Sequence, residues 1–146
     1  MSEAQRNSIR MLRGYVFFGI HESLHRPATY VTIIRDPIDR IISHYYYVRH
    51  TSNHRFHSTV TSQSMSLKDY VSSGLAKELD NGQVRLLAGR KADECFAIGQ
   101  CSKDLLEMAK KNLQEHFIVV GLTERFDETL ILWKRSFGME KISHLC

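Results

Sequence analysis

The sequence predicts an α/β fold with a parallel sheet flanked by helices, and three stretches carry that prediction. "YVTII" (Tyr30–Ile34) is a run of β-branched and aromatic residues of one strand's length. Within two residues it passes into "PIDRIISHYYYVRH", where Ile38, Ile41, Ile42 and Tyr45 recur at helical spacing. "FIVV" (residues 117–120) repeats the arrangement, followed by Gly121 and a helix whose Phe126, Leu130, Trp133 and Phe137 are spaced by four, three and four. Two strand-to-helix units joined by a largely helical crossover lie parallel in one sheet.

The elements follow in order. Residues 3–13 form a short polar helix with Ile9, Leu12 and Met11 inward, ended by Gly14. "YVFFGIHE" is extended or turning, and "LHRPA" is a loop in which Pro27 keeps Arg26 out of helical geometry. After the first strand, Asp36 caps the helix, Pro37 takes its first position and Asp39 adds early negative charge. Residues 51–65 are polar without a sustained period and read as a mobile surface loop. Ser66 with Asp69 forms a capping box before "LKDYVSSGL". "DNGQVRLLAG" is a turn and a short helix ended by Gly89, and residues 90–101 are irregular. Ser102 caps a helix carrying Leu105, Leu106, Ala109 and Leu113, and Thr123 caps the last one, whose aromatic stripe is core. A sheet of two strands is thin. Either "YVFF" supplies a third, or one is missing from the chain, and an open edge then invites a homo-oligomer.

The 146 residues, 42% hydrophobic and 25% charged, fit one domain (1–146) with a core of its own. No apolar run approaches the roughly 20 residues that span a bilayer, and the first ten residues lack a signal-peptide apolar stretch, so no membrane association and a cytoplasmic location are expected. Cys95, Cys101 and Cys146 match no common metal-site spacing; free thiols and no metal follow. The net charge of +4 favours an anionic partner, but the 20 Lys and Arg residues are scattered and not run together, which argues against nucleic acid.

Arg35 stands at the carboxyl end of the first strand, where open parallel sheets bind ligands, beside a helix start whose N–H groups favour anions. Its planar fork suits phosphate oxygens. Ser43 lies two turns into the helix on the same side as Asp36. On the residue pattern alone, a structural Arg35–Asp39 ion pair with Ser43 merely packing explains the same residues. His50, His54 and His57 have a ligand-like spacing within a polar segment, and Tyr45, Tyr46 and Tyr47 beside Arg49 could stack on bases, though consecutive helix positions point in different directions.

"IIRDPIDRIISHYYYVR" resembles the 3′-phosphate-binding segment of sulfotransferases that use 3′-phosphoadenosine 5′-phosphosulfate (PAPS), in particular the carbohydrate type near the heparan sulfate 2-O-sulfotransferases and their bacterial relatives. "GYVFFGIHESLHRPATYVTIIRDP", "DNGQVRLLAG" and "AKKNLQEHFIVVGLTERFDETLILWKRSFG" extend the likeness in order from about Gly14 to Gly138. The resemblance implies a P-loop-like fold, PAPS as co-substrate without a metal, and sulfonate transfer to a hydroxyl of a carbohydrate acceptor. It makes Arg35 and Ser43 ligands of the 3′-phosphate. Gln83 and Arg85 line the nucleotide pocket by position, although a plain amphipathic helix explains them equally.

Two departures stand out. No G-x-x-x-x-G-K-[ST] run occurs, and nothing before Gly14 resembles the family's 5′-phosphosulfate loop and its strand. That suggests a fragment or a truncated, non-catalytic remnant that binds nucleotide or a partner protein. Where the 2-O type has its catalytic base in a Gly-His pair, this sequence has Gly14-Tyr15. Tyr, with an unperturbed pKa of about 10, is a poor base at neutral pH, which leaves His21 as the candidate base.

Overall fold

A computed structural model of the chain describes residues 8–24, 27–94 and 97–139. Of the helix expected over residues 3–13, residues 3–7 lie outside them; residues 9–13 are not helical, and Met11 and Leu12, expected to face inward, are exposed because no helix turns them toward a core. Strand β1 is Tyr30–Ile34 and strand β2 is Phe117–Leu122. They pair in parallel from Tyr30↔Phe117 to Ile34↔Leu122, with an irregularity after Tyr30, as the sole sheet among the described residues. The α/β class and the parallel pairing agree with the sequence. "YVFF" adds no strand: Tyr15 is exposed, and the Phe18 N–H donates to the Leu86 carbonyl at 2.8 Å. The Phe18 ring instead joins Tyr30, Phe117 and His116 in an aromatic plug at the amino end of the sheet.

Helix α1 (Pro37–His50) starts as expected, with the Asp36 carboxylate accepting the Ile38 and Asp39 N–H groups at 2.8 and 3.1 Å. Its buried face is Tyr45 and Val48, with Ile41 and Ile42 half-buried; Ile38, expected on that face, is 69% exposed because no described element covers the first turn. Residues 51–65 are not a loop. They hold helix α2 (His57–Ser62), whose Ser and Thr residues are poor helix formers. Packing overrides propensity here: Val60 is fully buried with Tyr45, Val48 and Tyr70, and Phe56 and Met65 close over them. Helix α3 (Leu67–Ser72) opens with the expected Ser66–Asp69 capping box.

A second apolar cluster joins helix α4 (Gly82–Ala88) to helix α6 (Lys103–His116) through Ala88, Leu105 and Ala109. Gly89 ends α4 with φ +101°, and Ser102 caps α6 through the Leu105 N–H. Between them the segment expected to be irregular contains the short helix α5 (Arg90–Glu94). It brings Asp93 onto the buried Arg85 guanidinium, which also pairs with Asp80 and donates to the Ala97 carbonyl at 2.8 Å. Burial pushes the Asp80 carboxyl up, but its bonds from Arg85 and the Gly99 N–H outweigh that and hold it below its usual range.

Helix α7 (Phe126–Ser136) covers one face of β2. Thr123 does not cap it. A 3₁₀ turn (Thr123–Arg125) intervenes, and the Thr123 hydroxyl donates to the Ile34 carbonyl at 3.2 Å, tying the two strand ends together. The aromatic stripe is not core either: Phe126 and Phe137 are half-exposed, and the fully buried residue is Thr129. Its hydroxyl accepts from the Leu122 N–H and donates to the Arg125 carbonyl at 3.1 Å. A short polar side chain fits there because Gly121 of β2 lets the helix approach closely. Gly121→Ala drives a methyl into Thr129 Cγ2 and Oγ1 and lowers the unfolding free energy by about 1–3 kcal/mol in urea titrations. Adding Thr129→Ser, which removes Cγ2, restores part of that loss; an unaffected Gly121→Ala variant would contradict this packing.

Candidate functional site

The carboxyl end of β1 is where the sequence-derived phosphate residues fall. Arg35 is the first residue past the strand. Its N–H donates to Gln83 Oε1 at 2.9 Å, and its carbonyl accepts from Gln83 Nε2 at 2.8 Å. The next N–H, of Asp36, donates to Glu124 Oε1 at 2.9 Å. The junction is therefore gripped by α4 on one side and by the turn after β2 on the other.

The Arg35 side chain is half-buried, and its guanidinium has no hydrogen bond or ion pair among the described residues; the Arg35–Asp39 pair that could have explained it is not formed. Ser43 is exposed on α1, and its hydroxyl likewise has no protein partner there. Ser43 lies about 10 Å along the helix axis from Asp36, on the same side. A large anion held by both residues would lie along the outer face of α1.

One expectation changes in detail. The N–H groups at the start of α1 are spent on Asp36, so they are not open donors for an anion. Asp36 and Glu124 also bring negative charge to the junction. The Asp36 N–H, the Glu124 N–H and then the nearby Arg35 charge hold the Glu124 carboxyl below its usual range. Any anion bound here depends on side chains, chiefly the Arg35 guanidinium.

His21 sits elsewhere. It belongs to a 3₁₀ turn (Ile20–Ser23) at the amino end of β1, where Nδ1 lies 2.6 Å from the Tyr30 hydroxyl and the backbone N–H donates to the same oxygen at 3.2 Å. The Tyr30 hydroxyl thus engages both Nδ1 and the backbone N–H of His21. Arg35 lies five residue steps along the chain from Tyr30, about 16 Å. Arg35 and the start of the helix that carries Ser43 lie at one end of β1, and His21 lies at the other.

The pocket residues also divide. Arg85 is buried in its network with Asp80 and Asp93 and is not among the residues lining the cleft beside Gln83. Gln83 does line one, an open cleft of about 160 Å³ shared with Pro37, Arg40, Glu78 and Asn81. Arg40 crosses it, donating to the Glu78 carbonyl at 3.0 Å over Gly82. The Gln83 clamp was missed in the sequence because its partner is 48 residues away. The one local hint was a polar residue between Gly82 and Arg85, both of which are buried.

The other motifs are structural. His50 and His57 donate from Nδ1 to the Tyr46 and Val48 carbonyls, and His54 Nδ1 accepts the Phe56 N–H. Among the described residues no three His, Cys, Asp or Glu side chains could hold a metal ion, and no helix is long and apolar enough to cross a membrane. Tyr45 is core, its hydroxyl donating to the Met65 carbonyl, while Tyr46 and Tyr47 are exposed.

His44 is the titrating group to watch. Burial lowers it below its ordinary 6.5; Glu78 pulls it upward, and Arg40, His54 and Arg55 push it down. Its neighbour Tyr70 is pushed up to about 12, mainly by burial. A histidine lowered in the folded state binds protons more readily when unfolded. Its contribution to stability is therefore full above pH 6.5 and is lost as the pH falls through 6.5 toward the folded value. Urea unfolding at pH 7.5 and 5.5 should show the loss, and His44→Gln should reduce it. An equal loss in that variant would assign the effect to other groups.

Comparison with known proteins finds no matching family model. Among curated proteins, the chain is 31% identical over 108 residues to heparan sulfate 2-O-sulfotransferase 1 of Gallus gallus, covering 70% of this chain and 30% of that protein. It is 29% identical over 128 residues to the heparin sulfate O-sulfotransferase of Drosophila melanogaster, covering 84% and 35%. The human heparan sulfate 2-O-sulfotransferase 1 matches at 29% over 108 residues. The chain spans about a third of the length of these relatives.

Proposed function

We propose that this chain, a homologue of the heparan sulfate 2-O-sulfotransferases along most of its length, carries the nucleotide grip of a sulfonate-transfer enzyme of P-loop-like fold. The donor in this reading is PAPS and the acceptor a carbohydrate hydroxyl. Arg35 binds the 3′-phosphate through its guanidinium, with Ser43 adding a hydroxyl donor. The observation that carries the reading is an arginine guanidinium with no hydrogen bond or close ion pair among the described residues, on a backbone held from both sides, at the carboxyl end of a parallel strand. Its charge attracts Glu124 at longer range, which leaves its hydrogen-bond donors open to an anion.

His21 is the base candidate that the sequence offers. Its place at the far end of β1, with Nδ1 engaged by Tyr30, favours a second reading, in which the chain binds nucleotide or a partner without catalysing transfer. A grip on the 3′-phosphate alone should change little between ground state and transition state, so by itself it does not raise the rate.

Calorimetry with adenosine 3′,5′-bisphosphate tests the grip. The unmodified chain should bind it weakly, given the neighbouring carboxylates. Arg35→Met should lose about one to two decades of affinity, as expected for a contact worth roughly 1.5–3 kcal/mol. Ser43→Ala should lose less, and His21→Ala should bind as the unmodified chain does. Unchanged affinity in Arg35→Met would remove the assignment. Turnover of radiolabelled PAPS onto a polysaccharide, abolished by His21→Ala, would favour the enzyme over the binding remnant.

A further inference from the structure

We infer that Gln83 is a positioning residue for Arg35, setting the direction of the guanidinium without touching the anion. This rests on the phosphate reading above. The sheet register ends at Ile34↔Leu122, so the peptide groups of Arg35 lie beyond the last strand pairing. Gln83 supplies what a neighbouring strand would supply, accepting the Arg35 N–H at 2.9 Å and donating to its carbonyl at 2.8 Å. One hydrogen bond would leave the residue free to swivel; two, to both backbone groups of the same residue, fix its rotation.

The platform beneath Gln83 is rigid. Gln83 is the second residue of α4, flanked by buried Gly82 and near buried Arg85, whose bonds to Asp80 and Asp93 anchor the helix. On the other side the Thr123 hydroxyl holds the Ile34 carbonyl and Glu124 holds the Asp36 N–H. The Arg35 guanidinium itself makes no hydrogen bond or close ion pair among the described residues, so no side-chain contact holds it and its placement starts from its backbone. Displacement of a positioned group by even 1 Å is costly to recognition. Removing the clamp should therefore weaken selection for the phosphate more than it weakens nucleotide binding as such.

The experiment compares affinities of the full chain for adenosine 3′,5′-bisphosphate and adenosine 5′-monophosphate, whose ratio reports the 3′-phosphate contact and is not moved by a loss of stability alone. Gln83→Met keeps the side-chain length and removes both hydrogen bonds. The expected result is a fall of about tenfold in the preference for the bisphosphate. Hydrogen exchange of the Arg35 amide should become faster in the same variant. If Gln83→Met does not fold, Gln83→Glu replaces it; this variant keeps an acceptor for the Arg35 N–H but sets a carboxylate against the carbonyl, and the same loss of preference is expected. A preference that Arg35→Met abolishes but neither Gln83 variant changes would overturn this inference alone. A preference insensitive to Arg35→Met, or binding of neither nucleotide, would overturn the phosphate reading and this inference with it.

Discussion

The exit of β1 into α1 is the constraint on which the site depends. A strand that ends in open solvent frays, and the direction of the residue after it is then undefined. Here three distant side chains make four hydrogen bonds to three successive residues: Thr123 to Ile34, Gln83 twice to Arg35, and Glu124 to Asp36. Asp36 then turns the chain into the helix by taking the first two free N–H groups. The result is a fixed backbone carrying a guanidinium that makes no hydrogen bond or close ion pair among the described residues, although its charge acts on Glu124 from a distance. That is the arrangement the proposed anion-binding role requires.

The same junction limits what can bind. Asp36 and Glu124 consume donors that a helix start would otherwise present to a phosphate, and they add opposing charge. In the proposed reading, selectivity then rests on one charged fork and on the accuracy of its placement. At the other end of β1, Phe18, Tyr30, Phe117 and His116 close the sheet with aromatic packing, and His21 is drawn into that plug through Tyr30. The proposed binding residue Arg35 and the aromatic packing thus lie at opposite ends of β1.

What could be read from the sequence was local. The β1 run, the Asp36 and Ser102 caps and the Ser66–Asp69 box depend on neighbours a few residues away, and the structure shows each of them. The elements that were misread depend on distant partners. Helix α2 exists because Val60 fills a core built from α1 and α3, which its Ser- and Thr-rich sequence does not announce. The aromatic spacing of α7 suggested a buried stripe, but Gly121 selects Thr129 for close contact and leaves Phe126 and Phe137 at the surface. Of the site, Arg35 and Ser43 could be named because strand, cap and helix follow one another in the chain. Gln83 could be placed near the pocket only by resemblance, and its grip on Arg35 became visible only when α4 was seen beside β1.

The most direct measurement of the phosphate grip is a titration of isotopically labelled chain with adenosine 3′,5′-bisphosphate, followed by NMR of backbone and side-chain N–H groups. The expected result is that the largest shifts fall on the Arg35 guanidinium N–H, on Ser43 and on the Gln83 side-chain amide, with Phe18, His21 and Tyr30 nearly unmoved. Shifts concentrated on Phe18, His21 and Tyr30 would place the nucleotide at the wrong end of the strand and contradict the assignment of Arg35.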